Sequence, residues 1–156
     1  MPANAFISYD HDDQNQVNGF RLLKNNPNHP LDFQDHSLKE PVRDRSGNPI
    51  KVAPSDPRSK PVRDEIKKKF DNASKLVVLI GDDTHKSEWV EWEINTFYEL
   101  KEKNSGEKTW KRIRGMTLKG SDNASIPNAL MNGRSSQWLA WDPETLDKWL
   151  DKDPDE

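Results

Sequence analysis

The hydrophobic pattern of the chain is strongest between residues 75 and 100. A continuous aliphatic run at 76–80 is typical of a strand that is buried on both faces of a parallel sheet. Gly81 ends the run, and Ser87 stands where the N-cap of a following helix is expected. That helix carries apolar residues at helical spacing: Trp89, Val90, Ile94, Phe97 and Leu100. The segment therefore predicts a buried strand, a short loop and an amphipathic helix.

One carboxylate, Glu93, interrupts the apolar face of this helix. Its helical neighbours are Trp89, Val90 and Phe97. Glu91 and Glu99 instead lie among polar neighbours and are expected on the solvated face. A carboxylate on the apolar face needs partners or has a perturbed pKa. Two interpretations stay open at this point: a functional group, or an edge residue that pairs with a lysine or a backbone amide.

Further strands and helices alternate along the rest of the chain. Strands are predicted at residues 4–9, 31–35, 112–118 and 137–141, and helices at 12–24, from Pro61 onward and from Pro143 onward. This alternation predicts an α/β fold with a five-stranded parallel sheet and helices on both faces. The flavodoxin-like order 2-1-3-4-5 would place a ligand at the carboxyl ends of strands 1 and 3.

A long irregular segment at residues 36–60 separates the second strand from the second predicted helix. It contains four prolines and the turn signal Ser46-Gly47-Asn48-Pro49. Loops longer than about 12–15 residues are uncommon in compact domains unless they are functional or disordered. The segment is therefore expected to be a mobile lid or partner loop, and for its middle part a tolerated surface insertion is an equally good interpretation.

Composition narrows the function classes. The 156 residues are 31% hydrophobic and 33% charged with a net charge of −3, and no basic block interleaves with aromatics as in nucleic-acid proteins. The absence of cysteine excludes disulfides, thiol catalysis and thiolate metal sites. No signal peptide and no membrane-spanning run is apparent, so a cytoplasmic location is expected.

Three motifs together resemble a TIR domain, and most closely the bacterial TIR-like group that includes the sensor protein of Thoeris anti-phage systems. The motifs are FISY at residues 6–9, LIG followed by SEWVEWEI between 79 and 94, and QWLAWDPETLDKWL at 137–150. The resemblance covers nearly the whole chain and implies one TIR-like domain at residues 1–156. Glu93 falls on the position of the catalytic glutamate of TIR domains that cleave NAD.

The resemblance implies an enzyme that hydrolyses the nicotinamide–ribose bond of NAD, with NAD as substrate and no separate cofactor. In this group the product is often cyclised into a cyclic ADP-ribose-type signal that activates an effector. Self-association and a phage-derived trigger are further expected partners, whereas nucleic acid and membrane are not. A single desolvated carboxylate suits this chemistry because nicotinamide is already a cationic leaving group.

Further candidate substrate-binding residues lie at the predicted carboxyl ends of the strands and at the start of the Glu93 helix. They are Phe6, Ser8, Tyr9, Asp10, His36, Ser37, Asp82, Ser87 and Trp89. Tyr9 or Trp89 could stack on nicotinamide or adenine, and the helix N-terminus could favour a phosphate. Plainer roles stay open, with Phe6 in the core and Ser87 as a cap. No metal site is predicted, because helix capping explains one of Asp10, Asp12 and Asp13 more simply.

Two other function classes remain open. A non-catalytic TIR-like module would assemble with partners through its loops and cleave nothing. A receiver-type phosphoacceptor would use Asp10 and Asp12 for Mg²⁺ and Asp82 as the acceptor. Receivers also need a lysine at the end of the fifth strand, and the QWLAWD segment has none there.

Overall fold

A computed structural model gives the architecture of the chain as an α/β fold built on a parallel sheet. The structure describes residues 3–10, 13, 17–18, 33–35, 42–105, 112–121, 123–131, 137–139 and 141–152. The strands are β1 (Ala3–Ser8), β2 (Phe33–Asp35), β3 (Lys75–Ile80), β4 (Ile113–Thr117) and β5 (Gln137–Leu139), and the helices are α1 (Lys60–Asn72), α2 (Glu88–Ser105) and α3 (Pro143–Asp151). The predicted α/β class with a parallel sheet is confirmed.

The strand order in the sheet is β2-β1-β3-β4-β5, and every pair is parallel. β1, β3 and β4 form the long centre, whereas β2 and β5 each add three residues at an edge. In the register Ser8 stands beside Val78, and Ile80 stands beside Thr117. The carboxyl ends of the three central strands therefore meet at one edge of the sheet.

Side chains alternate between the two faces of the sheet and divide the core in two. On the face covered by α3, the cluster includes Ala5, Ile7, Val77, Leu79, Leu146 and Trp149. On the face covered by α1 and α2, it includes Phe6, Leu76, Val78, Ile80, Ile94 and Phe97. Because β3 contributes to both clusters and is buried along its whole length, its unbroken aliphatic run is explained.

Three phenylalanines fix α2 against the sheet. The ring of Phe70 on α1 lies edge-on to Phe6 of β1 at 4.8 Å and edge-on to Phe97 of α2 at 5.3 Å between centroids. The ammonium of Lys101 also donates to the carbonyl of Phe70 at 2.7 Å. These contacts hold α2 beside β1, so residues one turn before Phe97 face the end of β1.

The predicted elements match the structure with small shifts at their ends. β1 ends at Ser8 rather than Tyr9, β4 and β5 are shorter than predicted, and β3 begins one residue earlier, at Lys75. Of the helix predicted at 12–24, the structure describes Asp13, which is in a 3-10 turn, and Val17 and Asn18, which are helical. Within the described residues, no helix has both the length and the apolar character that crossing a bilayer requires.

Candidate active site

Glu93 and Ser8 form the polar centre of the face covered by α1 and α2. The hydroxyl of Ser8, the last residue of β1, donates to Oε1 of Glu93 at 3.1 Å. Ser8 faces α2 because side chains alternate along β1 and its neighbour Ile7 packs on the opposite face. Glu93 faces β1 because the phenylalanine contacts fix the rotation of α2. The helical and strand periodicities thus bring two polar side chains together from residues far apart in sequence.

The carboxyl of Glu93 is almost fully desolvated. Only 8% of the residue is exposed, and Ser8 is 1% exposed. Burial raises the pKa of Glu93 from its ordinary 4.5 to about 8, and the hydrogen bond from Ser8 lowers the pKa only in part. Among the described residues no lysine, arginine or backbone amide pairs with it, so the edge-residue interpretation with a compensating partner does not describe the observed geometry.

Trp89 lies one helical turn before Glu93 on the same side of α2. Its indole N–H donates to the backbone carbonyl of Val52 at 3.0 Å, and its ring lies edge-on to Trp92 at 5.5 Å. The first contact connects the segment before α1 to the start of α2. Trp89 therefore packs against Trp92 and joins the segment before α1 to the turn of α2 that precedes Glu93.

Ser87 is the N-cap of α2. Its hydroxyl accepts the backbone N–H of Val90 at 3.2 Å, and its carbonyl accepts the N–H of Glu91 at 3.2 Å. The predicted helix start is confirmed, and the cap explains Ser87 without a ligand. Asp82 lies five residues earlier, in the turn after β3, and its side chain is exposed.

The side chain of Asp13 lies beside Gly81 at the end of β3. Thr84 Oγ1 accepts the N–H of Gly81 at 2.8 Å and donates to the carboxylate of Asp13 at 3.4 Å. A Cβ on Gly81 would lie 2.6 Å from Asp13 Cγ, so a larger residue there would displace the Asp13 side chain. Asp13 and Thr84 thus lie at the carboxyl end of β3, beside the predicted switch point.

The structure does not bring the other predicted site residues to Glu93. Tyr9 packs against the core of the opposite face, the one covered by α3. Asp10 is half-buried beyond β1, where its carbonyl accepts the N–H of Asp13 at 2.9 Å. Phe6 lies on the face of Glu93 but is core, 2% exposed. His36 and Ser37, like Asp12, lie outside the described residues.

A shallow groove of about 410 Å³ runs along the other side of α2. Its lining includes Ser87, Glu91, Trp92 and Asn128 but not Glu93. Glu91 borders this groove and accepts the backbone N–H of Ala129 at 3.3 Å. The two neighbouring carboxylates of α2 thus differ: Glu91 holds a surface turn in place, and Glu93 points into the core.

The family comparison matches the region that builds this site. The model of the family described as Thoeris protein ThsB, TIR-like domain, matches residues 6–113, more than half of the chain. The chain belongs to this family. The matched region of the TIR-like domain includes Ser8, Trp89 and Glu93, whereas β5 and α3 lie beyond it. No curated protein matches the sequence.

Metal-binding side chains do not gather in the described part of the TIR-like domain. No group there brings together three His, Cys, Asp or Glu side chains that could hold an ion. The chemistry available at Glu93 is that of a lone, proton-retaining carboxyl next to a hydroxyl. Such a group can donate its proton; once ionised, it can accept a proton, accept hydrogen bonds from hydroxyls, or stabilise a cation in a site of low dielectric.

Sequence reasoning missed two features near this site. The contact from Val52 to Trp89 involves a backbone carbonyl in an irregular segment, for which no sequence signal exists. The close packing of Asp13 on Gly81 was also missed. A signal for it was present, because a glycine directly after a buried strand often marks a close approach of another part of the chain.

Proposed function

We propose that this TIR-like domain cleaves the nicotinamide–ribose bond of NAD in anti-phage defence, with Glu93 as the catalytic residue. The observation that carries the proposal is the buried Glu93 carboxyl, which has one hydrogen-bond partner among the described residues, Ser8, and a pKa raised to about 8. Structural carboxylates inside proteins are normally ion-paired or multiply hydrogen-bonded. A desolvated carboxyl with one partner is suited to a cationic ligand.

The positive charge that develops during the reaction is one that a neighbouring carboxylate can stabilise. The bond between C1′ of the ribose and the nicotinamide nitrogen breaks heterolytically, and its electron pair neutralises the pyridinium. Positive charge then develops on C1′ and the ring oxygen of the ribose. A carboxylate beside this ribose stabilises the oxocarbenium-like transition state and accepts hydrogen bonds from the ribose hydroxyls. The low dielectric around Glu93 strengthens both interactions.

The raised pKa gives Glu93 a substrate-dependent charge. At neutral pH the carboxyl of the empty protein is mostly protonated, since its pKa is about 8. The positively charged nicotinamide riboside group favours the anionic form and lowers that pKa when it binds. The value of kcat/KM is then expected to rise with pH up to about 8, because this parameter depends on the protonation state of the empty site.

The oxocarbenium has two fates. Water can add to C1′, which releases a proton and gives ADP-ribose. Alternatively, a nucleophilic atom within the same molecule attacks C1′, which gives a cyclic ADP-ribose-type nucleotide. Family membership supports the second fate, in which the product is a diffusible signal for an effector and a phage-derived trigger starts its synthesis. Self-association that completes the site fits the same scheme.

The deciding experiment is product analysis of NAD incubated at high protein concentration with the wild-type domain and two variants. Glu93→Gln keeps the shape of the side chain but cannot become anionic. We expect it to lower turnover by roughly 10²–10³-fold or more. Glu91→Gln changes the neighbouring carboxylate, which holds a surface turn, and should retain turnover within about threefold.

Chromatography with mass detection identifies the product as linear or cyclic. If Glu93→Gln turns over NAD like the wild type, Glu93 is not the catalytic residue. If no protein turns over NAD, the assay is repeated in lysate of phage-infected cells, which supplies the trigger. Absence of turnover there as well contradicts the enzymatic proposal and favours a non-catalytic TIR-like module.

A further inference from the structure

Residues 42–56, here called the arm, form a folded unit beside the start of α2. The N–H of Ile50 donates to the carbonyl of Val42 at 2.9 Å, which closes a hairpin-like turn. Inside the turn, Oδ1 of Asp44 accepts two backbone N–H groups at 2.9 and 3.0 Å. Gly47 has a φ of +83°, the left-handed conformation that glycine adopts at no cost. The middle of the segment predicted as a loop thus has its own internal hydrogen bonds.

The arm is attached to the protein at two places. Near its middle, the Val52 carbonyl accepts the indole N–H of Trp89 at 3.0 Å. At its base, the hydroxyl of the fully buried Ser59 donates to the carbonyl of Pro54 at 3.0 Å and accepts the Nε–H of Arg63 at 2.9 Å. Because Trp89 precedes Glu93 by one turn on the same side of α2, the first attachment joins the arm to the turn of α2 that precedes Glu93.

The arm carries uncompensated positive charge. Its three cations are Arg43, Arg45 and Lys51, all exposed, and its two acids are both engaged. Asp44 holds the turn with its backbone contacts. Asp56 forms a 2.7 Å ion pair with Arg58, outside the arm. Neither Arg45 nor Lys51 has an ion-pair partner among the described residues, although the whole chain has a net charge of −3.

We propose that the arm binds the diphosphate of the dinucleotide, and that Trp89 is the positioning residue that holds the arm in place. This inference rests on the proposed function, since it concerns the substrate of the Glu93 site. The diphosphate is attached to C5′ of the same ribose whose C1′ reacts. It therefore lies only a few bonds from the atom that reacts beside Glu93. Lys51 directly precedes Val52, the residue docked on Trp89. On the outer part of the arm, Arg43 and Arg45 provide further positive charge for the phosphate groups.

Exposed arginine and lysine side chains favour the binding of phosphate oxygens. Guanidinium and ammonium groups make charge-assisted hydrogen bonds to phosphate, and Arg adds bidentate geometry. A cation without an acidic neighbour also loses no ion pair when the ligand arrives. Binding should therefore depend on the diphosphate and on ionic strength, and not on the adenine or nicotinamide rings alone.

The first test is calorimetric binding of ADP-ribose and of adenosine, neither of which contains the scissile bond. The variants are Arg45→Ala, Lys51→Ala and, as a matched control, Lys148→Ala, an exposed cation on α3 on the opposite face of the sheet. Each arm variant should weaken ADP-ribose binding by roughly threefold to tenfold. Adenosine binding should change less than twofold, and Lys148→Ala should leave both ligands unaffected.

The outcomes separate this inference from the proposed function. If arm variants weaken ADP-ribose binding while the wild type never cleaves NAD, the diphosphate site stands and the enzymatic proposal fails. If NAD cleavage requires Glu93 but the arm variants bind ADP-ribose and NAD like Lys148→Ala, the inference is overturned. It is also overturned if the wild type has no measurable affinity for ADP-ribose.

The second test addresses Trp89. Trp89→Phe keeps an aromatic ring but removes the N–H that holds Val52, and Trp92→Phe is the control because no hydrogen bond links Trp92 to the arm. Trp89→Phe should raise the KM for NAD several-fold and flatten the dependence of KM on salt, with a smaller effect on kcat. Equal kinetic parameters for the two variants would overturn the positioning role.

Discussion

Two ionisable residues in the described part of this domain, Lys75 and Glu93, are buried, and their surroundings differ completely. Lys75, at the amino end of β3 and 1% exposed, donates to the carbonyls of Trp149, Leu150 and Lys152 at the end of α3. Its ammonium also lies over the ring of Trp149, 4.8 Å from the centroid. Glu93, on the other face and near the other end of the sheet, has one hydrogen bond among the described residues, from Ser8.

The difference is between a buried charge that the fold compensates and a buried carboxyl with one hydrogen-bond partner among the described residues. Lys75 satisfies carbonyls that the end of a helix leaves without partners, and the negative end of the α3 dipole favours its charge. Its hydrogen-bonding capacity is used within the fold. Among the described residues only Ser8 bonds to Glu93, and burial favours the protonated form of its carboxyl. A buried group whose hydrogen-bonding capacity is not filled within the fold can still bind a ligand.

The largest expected effect is on the pH dependence of stability. The pKa of Glu93 is about 8 in the folded state and near 4.5 in the unfolded chain. Between these values the unfolded state loses its proton while the folded state retains it, so the free energy of unfolding falls as pH rises. Above pH 8 the loss is complete, and below pH 4.5 it is absent. Glu93→Gln removes it and should be more stable than wild type by roughly 4 kcal/mol at pH 8.5.

Denaturant unfolding of wild type, Glu93→Gln and Glu91→Gln at pH 5, 7 and 8.5 measures this effect. The gain of Glu93→Gln over wild type should grow with pH, and Glu91→Gln is the matched control on the same helix. Parallel curves for wild type and Glu93→Gln would mean that Glu93 titrates like an exposed carboxyl.

The next largest effect is on Lys75. Lys75→Met keeps the unbranched stem but leaves the carbonyls at the end of α3 without their donor, which should lower the free energy of unfolding by about 3 kcal/mol. Lys148→Met, an exposed site on the same helix, should change it by less than about 0.5 kcal/mol. Turnover per folded molecule should be unchanged in both variants. A Lys75→Met protein that keeps full stability, or that is folded but inactive, would break the comparison with Glu93.

How far the sequence predicts this molecule depends on the kind of contact. The aliphatic run of β3 predicted its burial, Ser87 predicted the start of α2, and the helical period predicted that Glu93 faces the core. Each of these rests on a local pattern that repeats along one element. Lys75 did not follow from such a pattern, because a lysine at the start of a strand is normally exposed and its partners lie more than 70 residues away.

The arm was the least predictable part. Its prolines and its turn signal indicated an irregular segment, and the turn at residues 44–48 agrees with that signal. The docking of Val52 on Trp89 depends on tertiary packing of a backbone carbonyl, which leaves no trace in residue identity. The face that Tyr9 occupies was missed for another reason: β1 ends at Ser8, and the direction of the next side chain is set by the loop rather than by strand alternation.

The claim on which the mechanism and the comparison both depend is that Glu93 is a desolvated, proton-retaining carboxyl. The most direct measurement is the titration of its side-chain carboxyl by carbon-13 NMR in the empty protein, with Glu93→Gln to assign the signal. We expect an apparent pKa of Glu93 near 8 in the wild type. We expect a higher pKa in Ser8→Ala, which lacks the hydrogen bond that favours the anion. A Glu93 signal that titrates near 4.5 in the folded protein would contradict the account.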